Sequence, residues 1–306
     1  MALEGLHHIT AITADARRNV DFYVRVLGLR LVKKTVNFDQ PDVYHLYYGD
    51  ETGTPGSVLT FFEFPGAARG RHGDGMPYRI EWRVGREAAL DFWSARLAEE
   101  GVAIARDGDT LRFDDFEGLE HALAVAHVPD APLAAWAPDV PAEHALQGFS
   151  GVRAYASEPE DSAALLEALG FTPGAEGGWR LAGERRRATL HYDAPASPSG
   201  RQGAGSIHHV AWSAADDGEL ARMREVARAA GASPTPIIDR QYFHSVYFRE
   251  PSGVLFELAT RDVGFQVDEP VESLGEKLKL PPQYEPRRAE IEWRLTPISN
   301  PRTVRA

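Results

Sequence analysis

The chain has 306 residues, 43% hydrophobic and 25% charged, the profile of a globular protein large enough for two domains. It contains no cysteine, which excludes disulfides, thiolate catalysis and cysteine-ligated zinc or iron–sulfur sites. A net charge of −12 opposes binding to nucleic acid or anionic membranes. No bilayer-length apolar run or export leader is visible, so no membrane span and a cytoplasmic location are expected.

The chain opens as strand, helix and strands. Leu6 to Thr13 mixes β-branched and apolar residues. Asp15 is placed to cap a helix from Ala16 to Leu27, where Val20, Tyr23, Val24 and Leu27 recur at helical spacing, and Gly28 ends it. Leu29 to Asn37, Val43 to Tyr48 and Val58 to Phe64 read as three more strands separated by Gly, Pro and Asp turns.

This unit recurs. Tyr78-Arg79-Ile80-Glu81-Trp82 aligns with His208-His209-Val210-Ala211-Trp212; each stretch then runs through an amphipathic helix to a glycine, Gly101 or Gly231. Downstream, the turn at Phe113 to Gly118 matches Phe248 to Gly253 without a gap, which sets Ala122 against Glu257. A weaker copy starts near Gly151, with a helix from Asp161 to Leu169. Four units therefore occupy about 5–65, 75–128, 148–194 and 205–262, with a Pro/Ala-rich linker from Val128 to Gln147. The domains expected are 5–131 and 148–262, followed by a tail, 263–306, that packs on the body. That tail carries Leu280-Pro281-Pro282 and a helix from Arg287 to Leu295, whose Ile291, Trp293 and Leu295 are too apolar to stay solvated.

Two His-His pairs, His7-His8 and His208-His209, stand about two hundred residues apart on β-like segments, and Glu257 lies in an apolar run after the second. Two imidazoles and one carboxylate are the ingredients of a metal face with open positions for substrate and oxygen. Strand side chains alternate, so one imidazole of each pair faces a given side, and periodicity leaves open which. The ordinary reading of such a pair is a hydrogen-bonded core or edge histidine. Against it, the other units lack these groups: Arg79 stands for His209, Ala122 for Glu257 and Thr60 for the acid of the first unit. A buried Glu257 needs a proton, a metal or an arginine such as Arg240. His45, His121, His127, His144 and His191 have no recurring partner and read as structural or surface residues; His72 lies in a glycine-rich connector or lid. There is no phosphate-binding loop and no Gly-x-Ser-x-Gly elbow.

Four strand–helix–strand units with the closing Phe248-Arg249-Glu250-Pro251-Ser252-Gly253 and Glu257-Leu258 pattern resemble the vicinal oxygen chelate (glyoxalase/extradiol dioxygenase) superfamily. Within it the chain most resembles hydroquinone-type ring-cleaving dioxygenases, by Leu6 to Thr10, Asp239 to Pro251 and Leu280-Pro281-Pro282. The resemblance implies an α+β fold of four βαβββ modules in two open barrels, modules 1 with 4 and 2 with 3. It implies that His8, His209 and Glu257 hold Fe(II), with Mn(II) as the alternative, and that the partners are a small aromatic substrate and O2. It further implies that His208, Arg240, Tyr247 and Thr10 are catalytic or substrate-contacting, His208 as a proton shuttle, and that the chain forms a homo-oligomer. Typical catechol enzymes take a ligand from the third unit; Val152-Arg153 stands there, so this site must join units one and four. A glyoxalase-type metal-dependent lyase or isomerase is the alternative activity, although Thr60 and Ala122 withhold the second acid it commonly uses. The other alternative is a metal-free protein that sequesters an aromatic compound.

Overall fold

A computed structural model describes residues 3–174 and 177–303. Unit one comprises β1 (Leu6–Thr13), α1 (Ala16–Val20), β2 (Arg30–Val36), β3 (Tyr44–Gly49) and β4 (Val58–Glu63). Unit two comprises β5 (Pro77–Val84), α2 (Glu87–Glu99), β6 (Ile104–Asp107), β7 (Thr110–Asp114) and β8 (Glu120–Val125). Unit three comprises β9 (Phe149–Tyr155), α3 (Ala163–Ala168), β10 (Thr172–Pro173), β11 (Trp179–Ala182) and β12 (Arg187–Asp193). Unit four comprises β13 (Ile207–Ala214), α4 (Asp217–Ala229), β14 (Ile238–Asp239), β15 (His244–Arg249) and β16 (Leu255–Thr260). A tail with α5 (Arg288–Arg294) follows.

The strands form two eight-stranded sheets, ordered β14-β15-β16-β13-β1-β4-β3-β2 and β10-β11-β12-β9-β5-β8-β7-β6. Units one and four thus share one sheet and units two and three the other, an α+β arrangement of two glyoxalase-type barrels. The seam of each is an antiparallel pair of first strands, β1 with β13 and β5 with β9. All eight residues of β1 are buried, because side chains on both its faces are covered by the rest of the fold.

Helix ends follow local chemistry. Asp15 accepts from the backbone N–H groups of Arg17 and Arg18, and Asp216 from that of Glu219. Gly101 and Gly231, at φ of +72° and +94°, stop α2 and α4 at the spacing the repeat predicts. The first helix departs from expectation: after Val20 it continues to Val26 with π-type bonding. The tail helix buries Ile291 and Leu295 but leaves Trp293 85% exposed, correcting the expectation that all three pack. In a helix, side chains two apart do not share a face, so burying 291 and 295 turns 293 outward.

The two sheets are joined by acids of the repeated turn. Asp115, after β7, accepts from the N–H groups of Glu117 and Leu119 and from the Tyr23 hydroxyl of unit one at 2.9 Å. Its counterpart Glu250, after β15, accepts from the N–H groups of Ser252 and Val254 and from the Ser162 hydroxyl of unit three. Each carboxylate closes its own turn and reaches into the other sheet. His121 extends the first network: it accepts at Nδ1 from the Trp82 indole, so Nε2 carries the proton toward the Tyr23 oxygen.

Asp115→Ala would strand a buried hydroxyl and two N–H groups, and urea unfolding is expected to show a loss of about 3 kcal/mol. Burial lowers the His121 pKa to about 3. As pH falls below 6.5, the unfolded chain binds a proton that the folded chain refuses, so acid removes stability, by about 1 kcal/mol per pH unit for this group. His121→Gln is expected to flatten the stability slope between pH 6 and 5 by that amount.

Candidate metal centre

Both histidine pairs sit where a ladder slips. Between β1 and β13, Leu6 pairs with Trp212 and His8 with Ala211, so His7 is the extra residue; beyond Thr10 and His209, Ala11 pairs with Ile207, so His208 is the extra one. A bulge turns neighbouring side chains toward one side. The His7 and His8 rings meet edge to face with their Nδ1 atoms 2.9 Å apart, and those of His208 and His209 with theirs 2.7 Å apart. The alternation expected of a regular strand is therefore broken at both pairs.

The hydrogen bonds assign the tautomers. His7 Nε2 lies 2.9 Å from the Thr260 carbonyl and must donate to it. Burial holds the His7 pKa down to about 3, so its Nδ1 is a bare acceptor and the Nδ1 proton belongs to His8. His8 Nε2 then points into the cluster, 3.4 Å from His209 Nε2. The second pair permits the same arrangement, with His209 donating from Nδ1 to His208. His8 Nε2 and His209 Nε2 face Glu257 Oε2 at 3.1 and 2.8 Å.

Glu257 is fully buried; its Oε1 accepts from the Ser245 hydroxyl, while Oε2 has no hydrogen-bond partner. Burial alone would push its carboxyl up; positive charge at His8 and His209, the place a bound cation takes, holds it well below the usual range. One atom from each of His8, His209 and Glu257 lies within 4.8 Å of the others, the one such cluster of three His, Asp or Glu among the described residues. An orphaned carboxylate oxygen between two imidazole lone pairs fits a divalent cation, and the mixed nitrogen–oxygen set suits iron or manganese. Arg240 does not pair with Glu257; it meets Asp39 at 3.3 Å and the Tyr247 hydroxyl at 3.3 Å.

The cluster opens into a chamber of about 670 Å³. His208, Arg240 and Tyr247 line it. Thr10 is fully buried, and its hydroxyl meets that of Thr60 at 2.9 Å. His45, which the sequence sets aside with the unpartnered histidines, lines the chamber: it bonds the Thr60 hydroxyl through Nε2 at 2.9 Å and the Tyr47 hydroxyl through Nδ1 at 2.8 Å. Phe243, inside the 239–251 block but not singled out there, meets the His7 ring edge-on at 5.2 Å and the His8 ring at a tilt at 5.0 Å, and shields them from water. The Arg240–Phe243 loop is tied to the tail. Buried Lys33 meets Asp268 and Glu269 at 2.5 Å each, and Asp268 accepts from Gln241 and Tyr242 at 2.9 and 3.0 Å. Gln241 sits at φ +67°, a conformation held by these bonds. Two wider clefts, of about 1030 and 1070 Å³, lie away from the cluster against arginine–carboxylate pairs and the linker.

The second sheet repeats the backbone but not the chemistry. Its seam slips at Tyr78 and Ser150, which places Arg79 and Gly151 where His209 and His8 stand in the first. Arg79 pairs with Glu120 at 2.9 Å and Arg153 with Asp193 at 2.7 Å, while Tyr78 stacks on Tyr155 at 4.0 Å. A Cβ at Gly151 would come 2.1 Å from the Thr189 hydroxyl, so no larger side chain fits there.

Paired barrels, one of them closing on two imidazoles and a carboxylate, define a glyoxalase-fold protein with a candidate metal site. The family model described as Glyoxalase/Bleomycin resistance protein/Dioxygenase superfamily matches residues 5–119 and 148–258, and the chain belongs to that superfamily. It is similar to the Bacillus subtilis (strain 168) protein named "Putative ring-cleaving dioxygenase MhqO", 42% identical over 96% of each chain. It is also similar to the chlorohydroquinone/hydroquinone 1,2-dioxygenase of Sphingobium indicum, 33% identical over 94% of this chain and 95% of that one. A solved Bacillus subtilis structure superposes with a TM-score of 0.90 at 39% identity, covering 98% of both chains. A glyoxalase I variant of Zea mays shares the fold, with a TM-score of 0.62 at 15% identity over 84% of this chain and 92% of that one.

His7→Ala removes the acceptor that keeps the His8 proton on Nδ1. Titration with Fe(II) or Mn(II) is expected to show affinity reduced about 10- to 100-fold with unchanged stoichiometry; unchanged affinity would show that His7 does not set the tautomer.

Proposed function

We propose that this chain is a ring-cleaving dioxygenase that uses Fe(II), held by His8, His209 and Glu257, to open a hydroquinone or related dihydroxy aromatic with O2. The observation that carries the reading is the convergence of His8 Nε2, His209 Nε2 and Glu257 Oε2 at the floor of a chamber walled by aromatic side chains. The relative named for hydroquinone 1,2-cleavage supports the reaction class. In a para-dihydroxybenzene a 1,2 bond joins a hydroxyl-bearing carbon to a neighbour without a second hydroxyl, the bond type an extradiol enzyme breaks.

Three protein donors leave positions for substrate and oxygen. When bound, iron supplies a Lewis acid and a redox centre able to pass electron density from ring to oxygen.

The rest falls to side chains. Burial lowers the His208 pKa to about 3, so it stays neutral, and in the tautomer that matches the first pair its Nδ1 accepts from His209 and its proton sits on Nε2. In that tautomer it donates to a substrate oxygen rather than taking a proton from one. Burial, then the Glu257 charge, raises the Tyr247 pKa well above the usual value, so its phenol also remains a donor. Arg240 is the fixed positive charge for a phenolate or reduced oxygen. Thr10 acts at one remove, holding Thr60 and through it His45.

The glyoxalase-type alternative lacks its second acid. Thr60 occupies the position on β4 that Glu257 holds on β16, and its hydroxyl is committed to Thr10 and His45.

Loaded anaerobically with Fe(II), the chain is expected to consume oxygen on addition of methylhydroquinone; absence of uptake with any dihydroxybenzene, catechol included, ends this reading. Glu257→Ala is expected to lose both bound metal and uptake while keeping the wild-type circular dichroism spectrum. Retained metal in that variant would remove Glu257 from the ligand set.

A further inference from the structure

The chamber has two chemically different ends, and the ladder registers order them. His8, Ala211 and Glu257 lie at one level, since His8 pairs with Ala211 and Ala211 with Glu257. β1 and β4 run parallel, with Thr10 beside Thr60 and Ile12 beside Phe62. At about 3.3 Å per residue, Ile12 and Phe62 stand roughly 13 Å along the barrel from His8. β16 runs opposite to β1, so Leu255, two residues before Glu257 and on the same face, is displaced from the cluster in that same direction, by roughly 7 Å. Phe64 continues the β4 side. Ile12, Phe62, Phe64 and Leu255 all line the chamber and form an apolar collar, with the rings of His45 and His208 against Phe62 on its floor side and Gln202 at its rim.

The chamber's 670 Å³ is several times the space one dihydroxybenzene ring fills, and is the size that ordinarily encloses a larger ligand. A ring with one hydroxyl at the cluster and its edge against Arg240 and Tyr247 leaves the collar empty. The charge balance decides what fills it. Arg240 is the one Arg or Lys among the described lining residues, and it already faces Asp39. In a chain of net charge −12, an anionic substituent would find no counter-charge there.

We propose that the substrate is a hydroquinone whose ring bears an unbranched apolar substituent of several carbons, seated in the collar of Ile12, Phe62, Phe64 and Leu255. The proposal rests on the ring-cleaving reading and names its substrate class. Each methylene moved from water into the collar strengthens binding, by about fourfold at the usual transfer free energy.

The test uses the full chain with Fe(II) and the series hydroquinone, methyl-, propyl- and pentylhydroquinone. Oxygen uptake is expected to give kcat/KM rising about three- to fourfold per carbon. Anaerobic calorimetry, with and without iron, is expected to show Kd tightening in parallel and a negative heat-capacity change that grows with chain length. Leu255→Asn and, separately, Phe62→Gln are expected to lower the pentyl-to-methyl ratio of kcat/KM at least tenfold, a comparison internal to each variant. Turnover of methylhydroquinone with a flat or falling series overturns the substituent and leaves the ring-cleaving reading standing. No uptake with any member overturns that reading, and this proposal with it.

Discussion

Two imidazole lone pairs and an unsatisfied carboxylate oxygen cannot share a dry interior without positive charge among them. The protein does not supply that charge from an arginine, because Arg240 is engaged by Asp39 and Tyr247. The chain Thr260 carbonyl, His7, His8 commits His8 Nδ1 and turns Nε2 toward Glu257. A divalent cation fits the place between them. The surroundings serve that end: Ser245 occupies the other carboxylate oxygen, and Phe243 covers the imidazoles on the loop that Lys33 and Asp268 hold.

The tandem histidines make sense only with the bulges. In a regular strand His7 and His8 would lie on opposite faces and could not share a hydrogen bond. One slipped residue per strand converts a pair of neighbours into a ligand and its clamp, and the slip occurs on both sides of the seam. The same slips at Tyr78 and Ser150 show that the backbone device belongs to the barrel and not to the metal. Residue type then decides the outcome. Histidines there leave three donors facing one point; arginines, acids and stacked tyrosines fill the second barrel with ion pairs that satisfy one another.

Much of this was legible in the sequence, and the remainder failed for physical reasons. Repeat spacing located four units because each must bury the same helix face and close with the same glycine, as at Gly101 and Gly231. It located Glu257 because an acid in an apolar strand stands out against Ala122. Register slips have no such signature, since any residue can occupy a bulge, so the mutual bond of each histidine pair was invisible. His45 was hidden because its partners are ordinary strand residues, Tyr47 two places along β3 and Thr60 on the neighbouring β4. Trp293 misled because hydrophobicity alone does not say which face of a short helix is used.

Convergence of chain segments two hundred residues apart needs a reason for unit one to pair with unit four rather than with its neighbour. The joining turns provide one. Asp115 carries unit two onto Tyr23 of unit one, and Glu250 carries unit four onto Ser162 of unit three, each across the gap between sheets. Neighbouring units are thus fastened side by side in different barrels, and the edge of β1 left open by that arrangement is closed by β13. A buried acid that loses its partner hydroxyl is costly, so these contacts penalise the alternative in which units one and two close on each other. The site is therefore a consequence of the pairing: the two bulged strands that carry the imidazoles are the strands that form the seam.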